Sequence, residues 1–436
     1  MHEDDLRSRL TGVAELGERA SQPPPAGVLR RRGRRRVARI TTTALVAVVA
    51  IALVGLAVRD RVDLDQVAVN PSAGSIPLPL VSDLGPIVGA QLLDATAGWA
   101  LTAGRLVWTD SGGASWRRIT PTEANGLDLL TAFFLDPRTG WLVAADLPRD
   151  GRPTELTAFR TVDGGTTWQR SAMGSASVQQ SEDGTGPMNL SFVDGRHGWL
   201  RITSRLPGQR AEEETGTLLR TSNGGHTWER LPDAPTPGGI RFVTRQHGWQ
   251  IWLDGLWETR DGGRTWVAVP RPATAPGQGG RLEFAGLPTI FADRTGFVPV
   301  LLYRRDPGLV FEAGFAETRD GGTTWSVPQL APIESGDLPT MAVTGSGTLL
   351  VLSGDQRTLA TSDDTGRTWT THRTDLAGRR FTAAYGMTFL DATSGWLLSA
   401  FLDGCAPGCD SKGAVLSTRS AGRSWAVVFP TSGPSP

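Results

Sequence analysis

Two Cys, two Tyr and five His are all that 436 residues hold of these chemistry-bearing side chains. So few Cys exclude a disulfide-built scaffold, and so few Cys and His together exclude a multi-zinc protein. Charge is scarce too: 20% of residues are charged, and 44 basic against 44 acidic side chains leave a formal net of zero. A general nucleic-acid binder needs a strong basic excess, so that class is excluded. No G-x-S-x-G, P-loop or H-E-x-x-H stands anywhere in the chain, and no cofactor motif is visible. What is plentiful is Trp, with 15 residues, and Gly, with 54, in a chain that is 39% apolar. That composition fits neither a disordered nor a collagenous protein.

The neutral total averages unlike segments. Residues 1–39 hold ten Arg against five acids, residues 40–58 hold no charge, and residues 59–436 hold 34 basic against 39 acidic side chains. The uncharged run is ITTTALVAVVAIALVGLAV. As a helix it would span roughly 28 Å, close to the ~30 Å hydrocarbon core of a bilayer. Seven Arg lie between Arg30 and Arg39, just before it. The positive-inside rule then predicts a retained, single-pass signal anchor at the cell membrane, with the N-terminus cytoplasmic and the long C-terminal part extracytoplasmic. A cleaved signal peptide fits less well, because the preceding segment is long and no clean A-x-A site follows. Residues 4–20 show helical spacing at Leu6, Leu10 and Val13, and Ser21–Gly27 (SQPPPAG) ends it. The expected organisation is therefore a cytosolic Arg-rich tail with a short amphipathic helix (1–39), the anchor (40–58), a juxtamembrane linker (59–85), a folded ectodomain (86–430) and a disordered tail (431–436).

The ectodomain repeats one pattern seven times. It reads TDSGGASW at Thr109–Trp116, TVDGGTTW at Thr161–Trp168, TSNGGHTW at Thr221–Trp228 and TRDGGRTW at Thr259–Trp266. It continues as TRDGGTTW at Thr318–Trp325, SDDTGRTW at Ser362–Trp369 and TRSAGRSW at Thr418–Trp425. Asp163, Asp261, Asp320 and Asp364 hold the acidic position, and Ser111, Asn223 and Ser420 replace it elsewhere. Seven catalytic sites in one chain are implausible, so these residues read as turn chemistry. The acid bonds backbone N–H groups, Gly permits φ > 0, and Trp116, Trp168, Trp228, Trp266, Trp325, Trp369 and Trp425 anchor the next strand.

A second motif precedes the boxes: DATAGW (Asp94–Trp99), DPRTGW (Asp136–Trp141), DGRHGW (Asp194–Trp199), TRQHGW (Thr244–Trp249), DRTGF (Asp293–Phe297) and DATSGW (Asp391–Trp396). Only TGSGTL (Thr344–Leu349) stands at the sixth place. Apolar runs flank each copy, which reads as strand, tight turn, strand. Each unit is then four strands, A to D, and seven units predict an all-β, seven-bladed β-propeller with four-stranded antiparallel blades, preceded by one transmembrane helix and a short cytosolic tail. Trp108, Trp252 and Trp257 fall outside both motifs and are expected between blades. The B–C segments of blades two, three, five and seven are ten to twelve residues longer than those of blades one and four. That elaboration falls on one face, where binding usually lives.

Candidate ligand or partner groups on that face are Arg149, Arg152, Arg205, Arg210, Tyr303, Arg304, Arg305, Arg379, Arg380 and Tyr385. Arg suits carboxylates or an acidic partner surface. Cys405 and Cys409 (CAPGC) read as a small-loop disulfide outside the cytoplasm. No metal site and no cofactor are expected, because His is scattered and Cys has no further ligands nearby.

The eight-residue pattern is identified as the Asp-box, or bacterial neuraminidase repeat, shared by sialidases, sortilin-type receptors and some glycosidases. Alternation of F/L-x-D-x-x-x-G-W with T-x-D-G-G-x-T-W resembles most the photosystem II stability and assembly-factor-like propellers. That resemblance implies a protein-binding or assembly role; with the anchor and the loop-rich face, an extracytoplasmic protein or glycan is the expected ligand. The tail and anchor resemble membrane proteins associated with extracytoplasmic-function sigma factors, which implies a cytosolic protein partner and a sensor role. The alternative is a sialidase-like or other glycoside hydrolase on the same fold. Sialidases use an Arg trio, a Tyr–Glu pair and an Asp, and here only Tyr303 and Tyr385 are available as the Tyr.

Overall fold

The structure, a computed structural model, describes residues 87–429, apart from residues 103, 148–152, 177, 179–187, 205–214, 233–237, 253–254, 276–278, 305–309, 377–380 and 403–410. The predicted tail, anchor, linker and C-terminal segment lie outside the described residues. Among those described, no helix is long and apolar enough to cross a membrane.

The described chain forms seven antiparallel sheets, each built of consecutive strands in sequence order. They occupy residues 87–118, 128–176, 188–230, 239–268, 281–335, 340–373 and 381–427. Their inner strands, Ile87–Leu92, Asp128–Phe134, Met188–Phe192, Gly239–Phe242, Arg281–Phe284, Thr340–Val343 and Phe381–Phe389, sit first in each sheet. Blades one to four and six to seven meet through these strands, the third strand of blade four meets the inner strand of blade five, and blade seven returns to blade one. The chain is thus a closed seven-bladed propeller.

Alternation along a strand sends successive side chains to opposite neighbours, so a blade is buried on both faces. Gly140–Ala145 is buried at every position, whereas the outermost strands Arg117–Arg118, Glu229–Arg230 and Val267–Ala268 are exposed. The apolar interior is accordingly seven separate seams, one per pair of neighbouring blades. Trp108 is buried in the first of them, 5.0 Å from the Phe134 ring.

Among the described residues, no swapped strand closes the ring. Trp116 of blade one reaches blade seven instead: its ring centroid lies 5.6 Å from that of Trp396 and 5.1 Å from that of Phe429. Its Nε1 donates to the Val428 carbonyl. Gly113 faces Val428 so closely that an added Cβ would stand 2.6 Å from it.

Two features depart from the sequence expectation. The inner strand of blade five is split into Arg281–Phe284 and Thr289–Ile290, both paired with Gly296–Arg304. Pro288 supplies no backbone N–H at the break, and Ala285 donates to the Pro299 carbonyl at 2.9 Å. In addition, many of the extra B–C residues of blades five and seven lengthen strands. Strands B and C have nine residues each in blade five and eight in blade seven, against five each in blade one. The elaboration is a set of taller hairpins rather than loop alone.

Candidate functional site

The acids that dominate the sequence are turned into their own loops. Asp163 Oδ1 accepts the Thr167 backbone N–H at 2.9 Å and the Thr161 hydroxyl at 2.8 Å, and Oδ2 accepts the Thr167 hydroxyl at 2.6 Å. Asp261, Asp320 and Asp364 repeat the arrangement with Thr265, Thr324 and Thr368. The bonds from Thr167 and Thr368 hold Asp163 and Asp364 down to about 2. Burial pushes Asp320 up, but the bonds from Thr324 and Thr318 outweigh it and leave it at about 2. Asn223, Ser111 and Ser420 serve the same N–H of Thr227, Ser115 and Ser424 at 2.9–3.0 Å. A neutral acceptor therefore suffices, which identifies the box as scaffold.

The boxes and the A–B turns form one end of the ring. Gly112, Gly164, Gly224, Gly262, Gly321 and Ala421 donate to the carbonyls of Thr96, Arg138, Arg196, Gln246, Arg294 and Thr393 in the turn of the same blade. The turn acids also cap backbone: Asp94, Asp136, Asp194 and Asp391 each accept two N–H groups at 2.8–2.9 Å. Inner strands begin at the opposite end, where the B–C hairpins project.

At that opposite end, blade five gathers a polar group. Arg281 and Tyr303 face each other across the first two strands, and Glu283 faces Leu301 two residues on. Tyr303 Oη donates to Glu283 Oε1 at 3.3 Å, and Arg281 Nε stands 2.8 Å from the same oxygen. The guanidinium carbon lies 6.0 Å from the Tyr303 ring centroid. Glu283 is 6% exposed and Tyr303 9%. A carboxylate this buried needs such partners. Chemically, the pair can hold a ligand hydroxyl, or the carboxylate can take the phenol proton and leave a nucleophilic phenolate.

Arg304, next in sequence, is engaged along the hairpin: Nη2 stands 2.7 Å from Glu312 Oε1 and 3.3 Å from Glu334 Oε1. Of the remaining expected site residues, Arg149, Arg152, Arg205, Arg210, Arg305, Arg379, Arg380, Cys405 and Cys409 lie outside the described residues, and so does the side chain of Tyr385, in the strand Phe381–Phe389. Sequence reasoning named Tyr303 and missed Glu283 and Arg281. Their only signal is two charges at alternate positions of a short apolar strand. Among the described residues, no group of three or more His, Cys, Asp or Glu is placed to hold a metal ion.

No family model matches the chain. Over 163 residues, 36% of its length, it is 26% identical to the chloroplastic photosystem II stability/assembly factor HCF136 of Oryza sativa subsp. japonica. That stretch is 34% of the relative, so the chain spans about a third of the curated relative it matches. Among solved structures it is similar to YCF48 from Cyanidioschyzon merolae, with 17% identity, a TM-score of 0.41 and coverage of 72% of this chain and 88% of that one. YCF48 bound to D1 peptide shows 19% identity, a TM-score of 0.39 and coverage of 70% and 85%. The GH93 α-L-arabinofuranosidase of Fusarium graminearum with arabinobiose shows 14% identity, a TM-score of 0.41 and coverage of 76% and 92%.

Proposed function

We propose that this propeller is a protein-binding module that captures its partner on the hairpin-rich end. One observation carries the reading: the repeated carboxylates are consumed by their own turns, and the chain's elaboration lies at the other end. The 26% identity to a stability/assembly factor, over about a third of its length, points the same way. The finer reading adds a single-pass anchor at 40–58 in the cell membrane, an extracytoplasmic ring, and a sensor coupling to a cytosolic partner through residues 4–20. Its support is the uncharged run, the seven Arg before it and the acidic balance after it. Arg305→Ala and Arg380→Ala in the full-length protein weaken partner capture without unfolding the ring. Capture that is unchanged in both variants contradicts the site.

A second reading is favoured by one observation, the phenol of Tyr303 on the carboxylate of Glu283. In that reading the ring hydrolyses a glycoside. Tyr303→Phe then abolishes turnover of a fluorogenic sialoside or glucan, and a chain that turns over none of a broad panel excludes it.

A further inference from the structure

Asn is rare in the chain, standing only at Asn70, Asn125, Asn189 and Asn223, and two of these precede Gly. An Asn–Gly step is the least hindered place for a backbone nitrogen to reach the side-chain amide carbon before it, because Gly carries no Cβ. The two steps, Asn125–Gly126 and Asn223–Gly224, are alike in sequence and unlike in structure.

Asn223–Gly224 lies in the third Asp-box. Its Oδ1 accepts the Thr227 backbone N–H and the Thr221 hydroxyl, both at 3.0 Å, and Nδ2 donates to the Thr227 hydroxyl at 2.8 Å. The Gly224 nitrogen is occupied as well: it is buried and donates to the Arg196 carbonyl at 2.8 Å. Both reacting groups are committed elsewhere, and freeing them means opening the box.

Asn125–Gly126 follows the short 3-10 helix Thr122–Ala124, between the outermost strand of blade one and the inner strand of blade two. Both residues are exposed, and a Cβ added to Gly126 would meet nothing within 4 Å. Asn125 Oδ1 accepts from Arg118 Nη2 at 2.9 Å. Among the described residues, no hydrogen bond engages Asn125 Nδ2 or the Gly126 N–H. The leaving nitrogen and the attacking nitrogen are both open to water.

We propose that Asn125 is a site of spontaneous modification, deamidated in the folded ring while Asn223 is spared. The Gly126 nitrogen gives up its proton to water or hydroxide and bonds to Asn125 Cγ. The Cγ–Nδ2 bond then breaks, ammonia leaves and a cyclic imide remains. Water opens that ring at either carbonyl and yields Asp or isoaspartate. The sum is one amide and one water converted to one carboxylic acid and one ammonia, with no oxidant or reductant. The Asp product sets a carboxylate beside the Arg118 guanidinium, where a neutral amide stood. Asp128 opens the inner strand of blade two, so the new charge falls at the hairpin-rich end. The modification rests on the two Asn–Gly steps alone and holds whichever ligand the ring takes.

Incubation of the full-length protein at mildly alkaline pH, followed by peptide mass spectrometry, tests it. Deamidated peptide at 125 is expected to accumulate at least about tenfold faster than at 223, which must wait for its box to open. The same incubation in urea removes the difference, because both steps are then equally free. Asn125→Gln removes the fast product and leaves the slow one, which assigns the signal. Product at 223 that keeps pace with 125 in the folded ring overturns the proposal, as does a lack of product at 125. So does a gap that persists undiminished in urea, since sequence and not structure would then set it.

Discussion

The indole of Trp141 lies flat on the ring of Phe192 in the next blade, with centroids 3.6 Å apart and planes 8° apart, and its Nε1 donates to Gly224 O at 2.8 Å. Trp199 repeats the stack on Phe242 at 3.7 Å and 3°. One side chain thus joins the second strand of a blade to the inner strand and the box of the following one. Trp141→Ala should cost about 3–5 kcal/mol, the range for emptying a buried aromatic site. Chemical denaturation measures it, and a loss below 1 kcal/mol would remove the seam from the account.

Ring closure rests on Trp116. Trp116→Ala removes both aromatic contacts and the bond to Val428 O. A loss of about 3–4 kcal/mol is expected, together with faster proteolysis near the last blade, because among the described residues the seam between blades seven and one is held by side-chain packing without a swapped strand. Limited proteolysis followed by mass spectrometry locates the cut. Cuts spread evenly around the ring would show that closure is no weaker than any other seam.

Two boxes hold the wrong residue for their backbone. Thr365 has φ 66 and Ala421 φ 57, where the other blades place Gly. Thr365→Gly and Ala421→Gly should each stabilise by about 0.5–1 kcal/mol, since the left-handed region costs a side-chain-bearing residue more than Gly loses in freedom. At the next box position, where Gly stands in all seven copies, Gly165→Ala meets both φ 83 and an Ile119 Cβ at 2.8 Å from the new methyl, and is destabilising. Thermal melts of the three variants decide the signs.

The box acids impose an acid limit. Asp163, Asp320 and Asp364 are lowered from 3.8 to about 2 in the folded chain. A lowered folded value favours the native state above the unfolded value, and that contribution disappears as pH falls from about 4 through about 2. Melting temperature should therefore drop across that window. The drop should shrink in Asp320→Asn, because Asn223 shows that an amide can serve the same N–H. Equal acid sensitivity in the variant would assign the loss to other carboxylates.

Blade number, strand order and the turn role of the boxes are legible in the sequence because each repeat spells out its own turns. The place where blade five breaks its inner strand is not, since LEFAGLPTIFAD reads as one apolar run until pairing with Gly296–Arg304 divides it into Arg281–Phe284 and Thr289–Ile290, with Pro288 at the break. Tyr303 is visible as a rare residue near a loop. Its partner Glu283 lies twenty residues earlier and is joined to it only by register, which the spacing of motifs does not encode. The taller hairpins are hidden for a similar reason: residues counted as loop pair as strand once both arms are long enough.

Partner capture on the hairpin-rich end is the central claim, and photo-crosslinking from single positions in the full-length chain tests it most directly. A crosslinker at Arg305 is expected to yield one protein adduct that a crosslinker at Arg264, on the Asp-box end, does not. An adduct from position 264 alone, or none from 305 in a chain that turns over a glycoside, would contradict the account.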